Sequence, residues 1–386
     1  MSESVWTQPF LDSMRTVGDP LADDAVATLF QQGDTAAVNA LMQTLVRNDG
    51  LPPAQLPPII LDYLQKTSAL PLLEPAKVRR AQTLFGLFGP EILLVLGFYS
   101  LPAAYAARKG VQVLHRTGVL LRGPLRRVFE TTQMVVDVMA DGGLGPEGRG
   151  VRSAQKVRLM HAAVRHLITH EPRNPWSEEL GVPVNQEDLA GTLMTFSFIV
   201  LDGLQRLGVI LSAEDQDAWL QAWLAIGRIM GVREDLLPAT VAEARTLTTL
   251  IHQRQIAPSP EGMALADSLL KGYQQLMPPG PLQGMPASLV HFFLDVDPFS
   301  GQDVAAMLGI PPADWTQSVI HVVNTVGAAL GEFGLHDTLP GQVMAHVSRL
   351  TIEAMLLVER GGSRAPFSIP DKLLSQWKIA PRAISA

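Results

Sequence analysis

VRLMHAAVRH, Val157 to His166, is the stretch from which the rest of the chain is best read. Val157, Met160, Val164, Leu167 and Ile168 recur at three- and four-residue spacing, so the segment reads as a helix with one apolar stripe. His161 lies on the edge of that stripe beside Val157 and Ile168, flanked by Arg158 and Arg165, while His166 and His170 project almost the opposite way. Of the three histidines, His161 alone is expected inside the protein, next to guanidinium groups. Two readings of it stand side by side. One is a core histidine satisfied by a hydrogen bond to a carbonyl. The other is a neutral imidazole that faces a cavity and ligates iron, with Arg158 and Arg165 balancing anionic propionates. His166 and His170 have a metal-compatible i to i+4 spacing, but no further ligands accompany them in the sequence and a solvated face is the expectation.

The same periodicity extends outward. Helical patterns cover Ala22 to Phe30, Thr35 to Val46, Leu125 to Met139, Val157 to Ile168, Leu189 to Leu207, Glu214 to Met230, Ala239 to Gln253, Gly262 to Leu276, Trp315 to Leu330 and Gln342 to Val358. No segment alternates with period two for long enough to form a sheet. Breaker-rich connections punctuate the pattern at Asn48 to Pro58, Asp141 to Gly150, Glu171 to Trp176 and Met277 to Pro286. Asn185, with Asp188 three residues on, reads as a cap for the helix that follows. Leu84 to Ala107 is interrupted by Pro90, Glu91 and Pro102, and Leu189 to Leu211 carries Asp202, Gln205 and Arg206, so both read as buried helices and no transmembrane segment is expected. These observations predict an all-α fold in a single domain spanning 1–386, with C-terminal helices at about 233–360 and a tail at 361–386.

Composition narrows the chemistry. The chain has 386 residues, 47% hydrophobic and 17% charged, enough to bury a large core. A net charge of −7 and a pI near 5.7 argue against nucleic acid as a partner. Zero cysteine excludes thiolate-ligated heme, iron–sulfur clusters, thiol nucleophiles, disulfides and covalent heme attachment. No export signal is visible in the N-terminal residues, so a cytoplasmic location is expected of the chain as written, and a secreted or periplasmic one if it is a mature or truncated form. A monomer is expected. No glutamate stands three residues before any of the nine histidines, which removes the Glu-x-x-His pattern of di-iron bundles. H-E-x-x-H, the G-x-x-x-x-G-K loop and the G-x-S-x-G elbow are also absent.

A second informative stretch is LRRVFETTQMVVDVMADGG, Leu125 to Gly143. Arg127 and Thr131 are one turn apart and share a face, with Glu130 beside them and Val128, Val135, Val136 and Met139 supplying packing. By spacing alone, an Arg127–Glu130 pair is an ordinary surface ion pair.

Taken in order, GDPLADDAV near Gly18, the Arg127 to Thr131 motif, GGLGPEGRGVRSAQKVRLMHAAVRHLI and GVPVNQEDLAGTLMTFSFIVLDGLQRLG resemble the latex clearing proteins, or rubber oxygenases. These sit within a wider family that includes the mycophenolic-acid pathway oxygenase. The resemblance spans roughly Gly18 to Val232. It implies a globin-like helical core that holds non-covalent heme b and uses O2 to cleave the carbon–carbon double bonds of polyisoprene into aldehyde and ketone fragments. It also implies that His161 is the proximal iron ligand, and that Arg127, Glu130 and Thr131 are catalytic positions on the distal side.

Two departures qualify the resemblance. Latex-clearing members carry a lysine able to cap the iron where this chain has Glu130. They also place a carboxylate base ahead of the arginine, whereas here the region around Val111 is neutral or basic and no Asp or Glu occurs between Glu91 and Glu130. Glu130 is therefore expected either to act as the general base or to tune distal hydrogen bonding. Phe196 and Phe198 are candidates for core packing or a substrate tunnel, with core packing favoured. The alternatives to polyisoprene cleavage are an intracellular heme oxygenase acting on a smaller isoprenoid or other hydrophobic alkene, a non-catalytic heme sensor or carrier, and a cofactor-free helical interaction protein.

Overall fold

The computed structural model describes residues 6–32, 56–68, 73–118, 124–276 and 281–312. Among these, regular structure is helical, apart from an isolated antiparallel bridge between Ala107 and Ile256. The expected helices at Thr35 to Val46, Trp315 to Leu330 and Gln342 to Val358, and the tail at 361–386, lie outside the described residues.

In chain order the helices are α1 (Gln8–Met14), α2 (Pro20–Gln32), α3 (Pro58–Ser68), α4 (Pro75–Val95), α5 (Leu101–Ala106), α6 (Val111–Thr117), α7 (Pro124–Met139), α8 (Arg149–Thr169), α9 (Gln186–Phe196), α10 (Phe198–Arg206), α11 (Ala213–Ile229), α12 (Val241–Gln255), α13 (Pro260–Leu276), α14 (Met285–Leu294) and α15 (Val304–Met307). The expected cap is present: the Asn185 side chain accepts from the Asp188 N–H at 3.0 Å. Ser212 and Thr240 cap α11 and α12 in the same way, at 3.1 and 3.2 Å. One continuous hydrophobic cluster joins the described helices, from Leu11 through Trp219 and Trp223 to Phe293.

Three boundaries differ from the periodicity. Pro90 does not stop its helix; α4 runs through it with a kink at Phe88 (φ −118°, ψ 22°) and continues by a π-turn at Leu96–Ser100 into α5. This stretch, Pro75–Ala106, is long and apolar enough to cross a membrane by length and composition. Yet Leu84, Phe85, Ile92 and Val95 are at most 1% exposed, packed inside the protein. Leu189 to Leu207 is two helices rather than one, broken at Ser197 (φ −101°, ψ −82°), whose hydroxyl donates back to the Leu193 carbonyl at 2.8 Å. Finally, α8 begins at Arg149 rather than Val157.

Long-range ion pairs fasten α8 to the N-terminal helices. Arg158 donates to the Asp19 carboxylate at 2.6 and 2.7 Å and to the Ile229 carbonyl at 3.0 Å. Arg165 pairs with Asp23 and donates to the carbonyls of Pro183 and Val184 at 2.9 and 2.8 Å. Arg15, just after α1, reaches Glu187 and Asp188 on α9 at 3.1 and 3.0 Å, and Glu187 also accepts from Arg254 at 2.7 Å and Gln255 at 2.9 Å.

A tight hairpin joins α7 and α8. A Cβ on Gly150 would lie 2.6 Å from the Cα of Val138, so only glycine lets the two backbones approach this closely. Farther along, Ser153 donates to Asp137 at 3.1 Å and Gln133 donates to the same carboxylate at 3.0 Å, which fixes the antiparallel register. Because the clash at Gly150 is with backbone, Gly150→Ala is expected to destabilise the protein by about 1–3 kcal/mol. Denaturant unfolding measures this, and an unchanged midpoint would contradict the close approach.

Candidate functional site

The α7/α8 register brings the sequence-predicted residues to one level. His161 is eight residues beyond Ser153 and Phe129 is eight before Asp137, so on antiparallel helices His161 stands across from the segment between Arg127 and Thr131. Arg127 and Thr131 both keep partly free surface while Glu130 between them is only 2% exposed.

His161 has an unusual environment. His161 as a whole is partly buried, and its Nδ1 is shielded from solvent. Nδ1 is buried without a hydrogen-bond partner, and none is found for Nε2 among the described residues, so the carbonyl partner expected of a core histidine is missing. Burial first, and then the charges of Arg165 and Arg127, pull its pKa from 6.5 down to about 3. The imidazole is therefore neutral across the physiological range. Val157 and Val164, 7% and 8% exposed, lie on the same side of α8 and make the surroundings apolar.

Arg126, Arg127 and Glu130 form a connected set. Glu130 accepts from Arg126 Nε at 3.1 Å and from Arg127 Nη1 at 2.8 Å. The carboxylate itself is buried, so the pair joins a partly exposed Arg127 head group to an anchor inside the protein. Each oxygen of Glu130 is thereby engaged by a guanidinium. Thr132 spends its hydroxyl on the Val128 carbonyl at 2.9 Å, whereas Thr131 makes no hydrogen bond among the described residues. Its hydroxyl is available to a ligand.

The other candidates fall elsewhere. Every guanidinium nitrogen of Arg158 and Arg165 is engaged, with Asp19, Asp23 or backbone carbonyls. These arginines lock the fold, and the expected pairing with cofactor propionates has no geometric support. Phe196 stacks on Trp223 at 4.9 Å and Phe198 packs on Phe299 at 5.7 Å, as core residues do. His166 and His170 stack on each other at 4.1 Å, and no trio of metal-ligating side chains forms among the described residues. Tyr105, which the periodicity does not single out, is fully enclosed with an unpartnered hydroxyl.

This geometry suits heme better than an ion held by several side chains. A heme iron takes a single neutral imidazole and wants apolar walls, and a donor nitrogen left without any protein partner meets the first requirement.

The fold has a solved counterpart in a latex clearing protein in its closed state, with a TM-score of 0.73 and 23% identity, covering 92% of this chain and 95% of that one. The rubber oxygenase of Streptomyces sp. (strain K30) is 27% identical over 260 residues, or 66% of this chain. That match spans 63% of the relative's own length. Residues 78–331 match the family described as "ER-bound oxygenase mpaB/B'/Rubber oxygenase, catalytic domain", a segment that includes α7, α8 and His161, and the chain belongs to that family.

Proposed function

We propose that this protein is a heme b-dependent oxygenase that cleaves carbon–carbon double bonds with O2, releasing aldehyde and ketone fragments. The observation that carries the reading is His161: a neutral imidazole whose Nδ1 is buried without a partner, across from the Arg127 to Thr131 segment of α7. Polyisoprene is the proposed substrate, in line with the name of the Streptomyces relative. A smaller isoprenoid is the second reading, because Glu130, paired with Arg127, stands where latex-clearing members have lysine.

His161 would hold the heme iron, and the absence of cysteine makes that attachment non-covalent. When bound, heme supplies the capacity to activate O2. Arg127, held by Glu130 at 2.8 Å, would offer positive charge to an anionic oxygen species in the site. Thr131 adds a hydroxyl donor. Apolar neighbours such as Val128, Val157 and Val164 favour an alkene and exclude water, which strengthens the Arg127 charge.

The direct test is an absorption spectrum of protein expressed with hemin, followed by incubation with polyisoprene or a short isoprenoid under O2 and assay for new carbonyl ends. A Soret band and carbonyl products are expected, and their absence in folded protein removes the reading. His161→Ala should lose most of the heme, and full retention would exclude this residue as the ligand.

Glu130→Gln separates orientation from proton transfer. It is expected to lower turnover roughly tenfold, the size of one charge-assisted hydrogen bond, with the pH profile preserved. Loss of the acid limb of that profile, with a drop of about 100-fold or more, would instead identify Glu130 as the base.

Apo-protein stability provides a further check. Between pH 6.5 and about 3 the unfolded chain takes up a proton at residue 161 that the folded chain refuses, so this residue makes stability fall as pH falls. His161→Phe should flatten that part of the stability curve, measured by urea unfolding at stepped pH.

A further inference from the structure

Among the described residues, His252 on α12 and His291 on α14 are buried, at 7% and 9% exposed, and each has a carboxylate at Nδ1. His252 Nδ1 lies 3.1 Å from Asp297, itself fully buried, and His291 Nδ1 pairs with Asp295. His161 departs from this pattern. Its Nδ1 is closed off from solvent and meets neither a carboxylate nor a carbonyl. A buried ring nitrogen without a partner is rare in folded proteins, which makes its retention informative.

The groups that could have supported it are engaged by others. Of the acids packed against α8, Asp19 and Asp23 hold Arg158 and Arg165, and Asp137 accepts from Gln133 and Ser153. Across on α7, Glu130 accepts from Arg126 and Arg127. The carbonyls of Pro183 and Val184, in the loop before α9, go to Arg165. On α8 itself the flanking side chains are Val157, four residues before, and Val164, three after, and neither offers an acceptor. The two ring nitrogens therefore differ. Nδ1 is sealed without a partner, whereas Nε2 makes no hydrogen bond and is not sealed, so Nε2 is the nitrogen open to a ligand.

We propose that His161 takes the heme iron through Nε2 and keeps a bare Nδ1–H, a ligand that the protein positions without polarising. A ligating histidine ordinarily donates its second N–H to a carboxylate, carbonyl or water, which raises its basicity and strengthens its donation to the metal. Lacking that acceptor, His161 is a weak axial donor, and a weak donor favours ferrous over ferric iron. The site is thereby biased toward the oxidation state that takes up O2. This inference rests on the heme reading of His161.

The test is resonance Raman spectroscopy of the heme-loaded wild-type protein. Reduced protein is saturated with CO and photodissociated during the measurement, so that the iron keeps its proximal ligand alone, and isotope-substituted iron identifies the iron–imidazole stretch. Two references bracket the result: ferrous heme with 2-methylimidazole in benzene, where the second N–H is free, and in water, where it is hydrogen-bonded. The stretch should fall at the lower, benzene-like frequency. A water-like or higher frequency would reveal an acceptor at Nδ1 and overturn this inference alone, with the heme reading intact. A Soret band without any iron–imidazole stretch would remove His161 as the ligand and the inference with it. Folded protein that shows no Soret band would overturn the heme reading and this inference together.

Discussion

Arg158 and Arg165 put two positive charges inside an apolar bundle, and a buried guanidinium persists only where a carboxylate and enough acceptors meet it. Asp19 and Asp23, at and inside the start of α2, provide the carboxylates. The Pro183 and Val184 carbonyls complete the set for Arg165, and Val184 adopts φ +53° to present its oxygen, an uncommon conformation for a β-branched residue. The helix that carries His161 is thereby fastened to α2 on one side and to the loop before α9 on the other. The second network, centred on the fully buried Glu187, anchors α1 and α12 to the same region.

That fastening has an electrostatic effect on the site. Arg165 is paired, yet its charge still acts on the imidazole one turn earlier in α8. Structural and chemical roles therefore meet in one side chain: it locks the loop and helps keep His161 unprotonated. Glu130 has the corresponding position on α7, where it holds Arg127 and is itself withdrawn from solvent.

The fold class was legible because most helices bury a simple apolar stripe. Legibility failed where the buried surface was polar. The first two turns of α8 carry Ser153 and Gln155, which are buried through specific partners, Asp137 and Thr67, so the hydrophobic period begins only at Val157. Ser197 breaks an otherwise continuous apolar pattern through a local hydroxyl-to-carbonyl bond that periodicity does not register. The inward placement of His161 was legible from its wheel position, and the partly exposed face shared by Arg127 and Thr131 from their spacing. The duties of Arg158 and Arg165 were not, since their carboxylate partners lie more than 100 residues away in sequence.

The glycine contact between α7 and α8 also acts as a pivot. His161 is eleven residues up the helix from Gly150, a lever arm of about 16 Å at the helical rise. A tilt of only about 5° at that pivot would carry the imidazole roughly 1.4 Å along its arc. The Gly150 contact sets the approach of α7 and α8 at one end and the Arg158 and Arg165 ion pairs hold α8 around His161, so the separation of His161 from the Arg127 to Thr131 segment depends on contacts outside that pair of segments.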